Sequence, residues 1–144
     1  MVLKFEALTL GQLYAIMQLR IEVFIVEQNC PFQDADNKDD KAYHLMAWKQ
    51  DLLVAYTRLL PPGISYKEPS IGRVVTSPKA RGEGNGHELM QRSIKECYSL
   101  FGKREIRIGA QLYLKKFYES HGFRQDGPVY DEDGIDHIEM MLLP

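Results

Sequence analysis

Gly82, Gly84 and Gly86 stand at alternate positions in the stretch Ile71–Leu89, Ile-Gly-Arg-Val-Val-Thr-Ser-Pro-Lys-Ala-Arg-Gly-Glu-Gly-Asn-Gly-His-Glu-Leu. A short apolar strand pattern leads into them and an amphipathic helix pattern leads out. Glycine permits backbone conformations closed to other residues, so successive N–H groups can converge on one ligand. A helix N-terminus behind the loop adds unpaired donors and a partial positive charge. The ligand implied is a phosphate or pyrophosphate. Spacing excludes two common users of such loops. No Lys-Ser or Lys-Thr follows the glycines, as an ATP-binding Walker loop requires. The order Gly-x-Gly-x-Gly, with Glu88 and Leu89 next, is not the Gly-x-Gly-x-x-Gly of dinucleotide-binding folds.

Asp34, Asp36, Asp39 and Asp40 crowd the polar connection Asn29–Lys41. It lacks the ligand order and distal Glu of an EF-hand, and no metal site is assigned. A solvated acidic loop is the ordinary meaning of such a run; if it borders an active site, it favours a cationic substrate. Cys30 is a nucleophile only with an activating partner. Cys97 falls on an apolar helix stripe and reads as core.

These groups must be positioned by one domain. The chain has 144 residues, enough for a single domain over 1–144 with a real core. Its net charge of −2 gives no general basic field for nucleic acid. Two cysteines make no disulfide framework, which fits a reducing cytoplasm. The N-terminus lacks a signal-peptide core, and no apolar run approaches membrane-spanning length.

The patterns predict a strand over Val2–Leu8 and a helix over Leu10–Val26 started by a Thr9–Gln12 capping box. Arg20, Glu22 and Glu27 lie off the apolar stripe of that helix or at its end. A hairpin of Tyr43–Lys49 and Leu52–Leu60 turns at Gln50-Asp51, and Ile64–Pro69 is a loop or short edge strand. Ser70–Thr76 is the central strand that enters the glycine loop. A helix from about Gly84 to Phe101 ends at Gly102. Glu105–Ala110 is a strand and Gln111–His121 a short helix stopped by Gly122. Phe123–Val129 and Ile135–Leu143 are two final strands, with the turn at Tyr130–Gly134. This order gives an α/β domain with helices on both faces of the sheet.

A second motif, Phe117-Tyr118 followed by Gly122-Phe123, resembles the one that closes the coenzyme A site of the GNAT superfamily of acyl-CoA N-acyltransferases. Arg81-Gly-Glu-Gly-Asn-Gly86 resembles the pyrophosphate loop of the same superfamily. Arg20–Phe32, Asp34-x-Asp36 with His44-Leu45, Ala110–Leu114 and Glu132–Met140 are similar to its ElaA-like subgroup. Three positions depart from the pattern: Gln111 where Asn is common, His121 where a small or aromatic residue is usual, and Asp136 where proline is expected. The resemblance implies a GNAT-like mixed, mostly antiparallel twisted sheet. It implies acetyl-CoA as cosubstrate, and a small-molecule or peptide amine as acceptor. It allows a homodimer that nothing in the residues requires.

On that resemblance the loop Arg81, Gly82, Glu83, Gly84, Asn85, Gly86, with His87 at the helix start, holds the pyrophosphate by backbone N–H groups. Val74, Val75 and Thr76 pair edge-on with the pantetheine amides, and an N–H near Val75 polarises the thioester carbonyl. Gln111 and Phe117 complete the cofactor side. Tyr118 is the general acid for the departing thiolate, because a phenol remains protonated at neutral pH. The base that deprotonates the amine is left among Glu27, His44 and His137, with Glu27 and His44 preferred. The attack is direct, in a ternary complex, without an acyl-enzyme. Two other readings stay open: a non-catalytic acyl-CoA-binding or regulatory module of the same fold, and an ATP-binding protein. Against the last stand the missing Lys-Ser/Thr and the absence of a clear Mg²⁺ carboxylate after a strand.

Overall fold

The computed structural model describes residues 1–144. Strands β1 (Val2–Lys4), β2 (Tyr43–Lys49), β3 (Leu52–Leu60) and β4 (Ser70–Thr76) form one sheet in that order. Strands β5 (Ile106–Gln111), β8 (Ile135–Leu142) and β6 (Arg124–Gln125) form a second, with β7 (Tyr130–Glu132) also on β8. Every ladder is antiparallel. β4 and β5 are the facing edges of the two sheets and share no ladder. They touch near their starts, where the Arg107 N–H donates to the carbonyl of Pro69, the residue before β4, at 3.1 Å.

Helix α1 (Leu10–Arg20) opens with the expected capping box: the Thr9 side chain accepts from the Gln12 N–H, and the Gln12 side chain accepts from the Thr9 N–H. It continues as a π-helical segment, Ile21–Glu27, whose wider turns are closed by bonds such as Gln28 N–H to the Val23 carbonyl. Ile16, Leu19 and Val23 pack there against Met46, Tyr56 and Val75 on one sheet face. Helix α2 (Asn85–Phe101) covers the other face, with Leu89 against Leu45 and Ala55. Ser93 and Thr57 share a buried hydrogen bond of 2.8 Å across that layer. Met90 and Cys97 enter the main core with Ile106, Ile108, Ile138 and Met140. Burial pushes the Cys97 thiol up to about 12, so it is an inert core residue.

Several boundaries differ from the patterns. The first strand stops at Lys4, and Phe5–Ala7 form a 3₁₀ turn. Ile64–Pro69 form no strand. Gln111 is the last residue of β5, and only Lys115–Glu119 are α-helical (α3), after a 3₁₀ turn at Leu112–Leu114. The strand expected over Phe123–Val129 is two residues long. Tyr130–Glu132 pair with β8, so the reversal is Asp133-Gly134, both at positive φ. That is the two-residue geometry that matches the twist of a hairpin.

Candidate active site

The site is built by the separation of β4 from β5. From their contact at Pro69 and Arg107 the two strands open, and a cavity of about 380 Å³ lies between them. Each presents an edge with no partner strand, an arrangement that takes up an extended ligand by backbone pairing. β4 is also bulged. Tyr56 faces Val75 and Arg58 faces Gly72, so Arg73 and Val74 together oppose Thr57. Arg73 takes up the extra residue at φ +48°. Such bulges re-aim side chains beside functional sites.

Val74, Val75, Thr76, Arg81, Gln111, Tyr118 and Glu27 all line this cavity. Glu27 reaches it because the π-helical turns carry Val23, Phe24 and Glu27 round to that side. Tyr118 is buried, and its hydroxyl has no hydrogen-bond partner in the protein. Burial raises its pKa above the ordinary phenol range, so the proton is retained. Gln111 exchanges hydrogen bonds of 3.3 Å with Gln28 across the cavity.

The glycine loop continues from the cavity rim at Arg81. Gly82 and Gly84 have φ of +85° and +74°, and Gly84 caps α2 without any side-chain bond. The first N–H groups of α2 are therefore free of a capping side chain. Asn85 Nδ2 donates to the Ala80 carbonyl at 2.8 Å and closes the loop on itself. Gly86 differs from expectation. It is helical, and a Cβ there would meet the Phe117 ring at 3.7 Å. Phe117 accordingly lies outside the cavity lining and supports the loop, tilted against the His87 ring and edge-on to that of His121. His87 Nδ1 is 3.0 Å from His121 Nε2.

Two expectations about charge are corrected. His44 is 0% exposed and does not line the cavity. Its Nδ1 is 2.6 Å from the Tyr56 hydroxyl and its Nε2 is 2.9 Å from the Asp39 carbonyl oxygen. Burial lowers its pKa, so it stays neutral and occupied. The acidic connection is not a solvated patch, nor does it offer its carboxylates to a cation. Asp34, Asp36 and Asp39 are paired with Arg20, Arg58 and Arg73. Arg20, expected off the apolar stripe, is fully buried, with bonds of 2.8 Å to Asp34 and 2.7 Å to Asp39. Desolvation pushes the Asp36 carboxyl up, but the Arg58 hydrogen bond and charge, with Arg73, hold it at about 2. Only Asp40 of the four is well exposed. The network pins the loop whose Cys30 and Phe32 form a wall of the cavity. A signal for it was present: Arg58 interrupts an apolar strand, and a buried arginine needs a carboxylate partner.

Glu27 and Arg81 form a bidentate pair at the rim, with N–O distances of 2.7 and 2.6 Å. The Arg81 hydrogen bond lowers the Glu27 pKa. The site also includes residues without a cofactor role in the sequence reading. Glu132 and His137 line the cavity, and the hydroxyls of Tyr66 and Tyr130 close over Gly109 of β5. A second, more polar cavity of about 290 Å³ meets the first at Gly72, Arg73, Gly109, Glu132 and Asp133. No helix is long and apolar enough to cross a membrane.

This geometry has known counterparts. The family model described as an acetyltransferase (GNAT) domain matches residues 15–144. Protein ElaA of Escherichia coli (strain K12) is 44% identical over 135 residues, covering 92% of this chain and 88% of that protein. The crystal structure of Escherichia coli ElaA superimposes with a TM-score of 0.92 at 42% identity, covering 99% of this chain and 97% of that one. The crystal structure of an acyl-CoA N-acyltransferase from Pseudomonas aeruginosa gives 0.93, also at 42% identity and the same coverage.

Proposed function

This chain belongs to the GNAT acetyltransferase family and is an ElaA-like acyltransferase, and from that premise we propose that it moves an acetyl group from acetyl-CoA to a primary amine by direct attack in a ternary complex. One observation carries the reading. Two unpaired strand edges flank a cavity that opens at Arg81 onto a helix N-terminus without a side-chain cap. An extended pantetheine amide chain suits the edges, and a pyrophosphate suits the helix end.

The loop Arg81–His87 supplies backbone donors to the pyrophosphate, and Gly82 and Gly84 adopt the left-handed turns that let those donors converge. Val74, Val75 and Thr76 pair with the pantetheine and aim an N–H at the thioester oxygen, where charge develops on attack. Tyr118 donates its hydroxyl proton to the departing sulfur. The phenol and the thiolate share one desolvated environment, so both pKa values rise together and the transfer stays feasible. The acceptor approaches from the second cavity, opposite the glycine loop.

The test is thermal melting with acetyl-CoA, free CoA, ATP and NADH at matched concentration, followed by thiol release with a panel of primary amines. A ligand at about a hundredfold over its dissociation constant adds roughly 2.7 kcal/mol, a shift of roughly 5–10 °C for a chain of this size. Shifts with acetyl-CoA and CoA alone, and amine-dependent thiol release, are expected. A shift confined to ATP or NADH refutes the cofactor assignment. Binding without turnover on any amine reduces the protein to an acyl-CoA-binding module.

A further inference from the structure

His137 stands on β8 directly opposite Gln111 of β5 on one side and Tyr130 of β7 on the other. It is 7% exposed and lines the cavity together with Ile135, two residues earlier on the same strand face. Its Nδ1 is 2.8 Å from the Ile135 carbonyl oxygen. A carbonyl only accepts, so Nδ1 carries a proton, and in the neutral ring Nε2 is the lone-pair nitrogen. Nε2 lies 3.4 Å from Glu132 Oε2, and Glu132 also borders the second cavity. The ring therefore has a fixed tautomer, and its Nε2 faces only the exposed Glu132 carboxylate, at the meeting of the two cavities.

We propose, on the acetyltransfer reading above, that His137 is the general base for the acceptor amine and that Glu132 is the positioning residue that holds its imidazolium. The acceptor ammonium gives one proton to His137 Nε2. The freed nitrogen lone pair forms the C–N bond at the thioester carbonyl carbon, and the C–S bond breaks. The sulfur takes the Tyr118 proton, and the second proton leaving the new amide nitrogen restores Tyr118. His137 returns its proton to solvent, so ammonium and thioester give amide, thiol and one released proton.

The alternative bases are already engaged. Both Glu27 oxygens are held by Arg81, and both His44 nitrogens are bonded inside the core. The Cys30 thiol donates to the Asp133 carbonyl at 3.2 Å, which ties the β7–β8 turn, and with it Glu132, to the wall after α1. The titratable or charged groups around His137 are Glu132 and Tyr130 from β7, Asp133 in the turn after it, and Cys30, Tyr113, Tyr118, Arg73 and the Glu27–Arg81 pair across the cavity.

His137→Gln and Glu132→Gln test it, with thiol release measured from about pH 6 to about pH 10 at saturating acetyl-CoA and a primary alkyl amine that the wild type accepts. His137→Gln is expected to lower kcat/KM for the amine by about 10²–10³-fold near pH 7. The loss should shrink as pH approaches about 10, where the amine arrives deprotonated. Glu132→Gln, at an exposed side chain that folding tolerates, should lower kcat for the amine several-fold while KM for acetyl-CoA is unchanged. CoA-induced melting shifts should match the wild type in both. A loss in His137→Gln that is uniform across pH, or no loss near pH 7, overturns the base assignment and leaves the acetyltransfer reading standing. A wild type that binds CoA and acetylates no amine overturns both.

Discussion

Replacing Tyr118 with phenylalanine removes one oxygen from the cavity wall and little else. The residue is 6% exposed and packs edge-on with Phe117 and Phe123, contacts that a phenyl ring keeps. Its hydroxyl has no partner in the protein, so the deletion leaves no buried donor or acceptor stranded. Stability should therefore move by less than about 1 kcal/mol. The catalytic effect is expected to be larger. A positioned general acid contributes about 10²–10⁴-fold, and the loss expected here is at the lower end of that range. That is about 10²-fold in kcat, or ~2.7 kcal/mol of transition-state stabilisation. The assay is steady-state thiol release, paired with melting in the presence of CoA. The expected pattern is a lower kcat, an unchanged cofactor-induced shift and an unchanged melting temperature. The defect should also shrink with acyl thioesters of more acidic thiols, which depart without a proton. Unchanged kcat refutes the acid role. A fall in rate accompanied by a large drop in melting temperature would make Tyr118 a packing residue.

Two further consequences concern the walls of the site. Asp36 titrates at about 2 against an ordinary 3.8, so its folded pKa is depressed; its contribution is present above pH ~4 and is lost as pH falls from ~4 to ~2. Asp36→Asn should remove on the order of 2 kcal/mol at pH 7 and flatten the acid end of the stability profile, as read by urea unfolding at several pH values; a variant that matches the wild type at pH 7 would contradict the pairing with Arg58 and Arg73. Gly109→Ala would place a Cβ 2.9 Å from the Tyr66 hydroxyl and 3.0 Å from that of Tyr130. Both tyrosines must shift where the two cavities meet, so KM for the amine should rise several-fold while CoA-induced stabilisation is retained; an unchanged amine KM would place the acceptor elsewhere.

Local signals carried much of the fold. The Thr9–Gln12 box started α1, the alternating runs of β2 and β3 closed at Gln50-Asp51, and Gly84 and Gly102 bounded α2, because caps, turns and periodicity act over a few residues. The glycine loop was legible for the same reason: left-handed φ at Gly82 and Gly84 is a property of those residues. Family motifs marked Tyr118 and Arg81 before any geometry was known. What the chain pattern did not reveal was pairing between distant charges. Arg20, Arg58 and Arg73 lie far in sequence from one another, and only folding brings them onto Asp34, Asp36 and Asp39. The acidic run, which by composition reads as a solvated loop, is thus a neutralised wall. His44 and His137 are both strand histidines, indistinguishable by type. The sheet face decided between them: one turns into the α1 core, where Tyr56 and Asp39 occupy it, and the other into the gap between β4 and β5. That gap is itself tertiary. Nothing in the sequence of either strand says that their edges stay unpaired; the opening comes from how two antiparallel sheets meet at Pro69 and Arg107 and diverge from there.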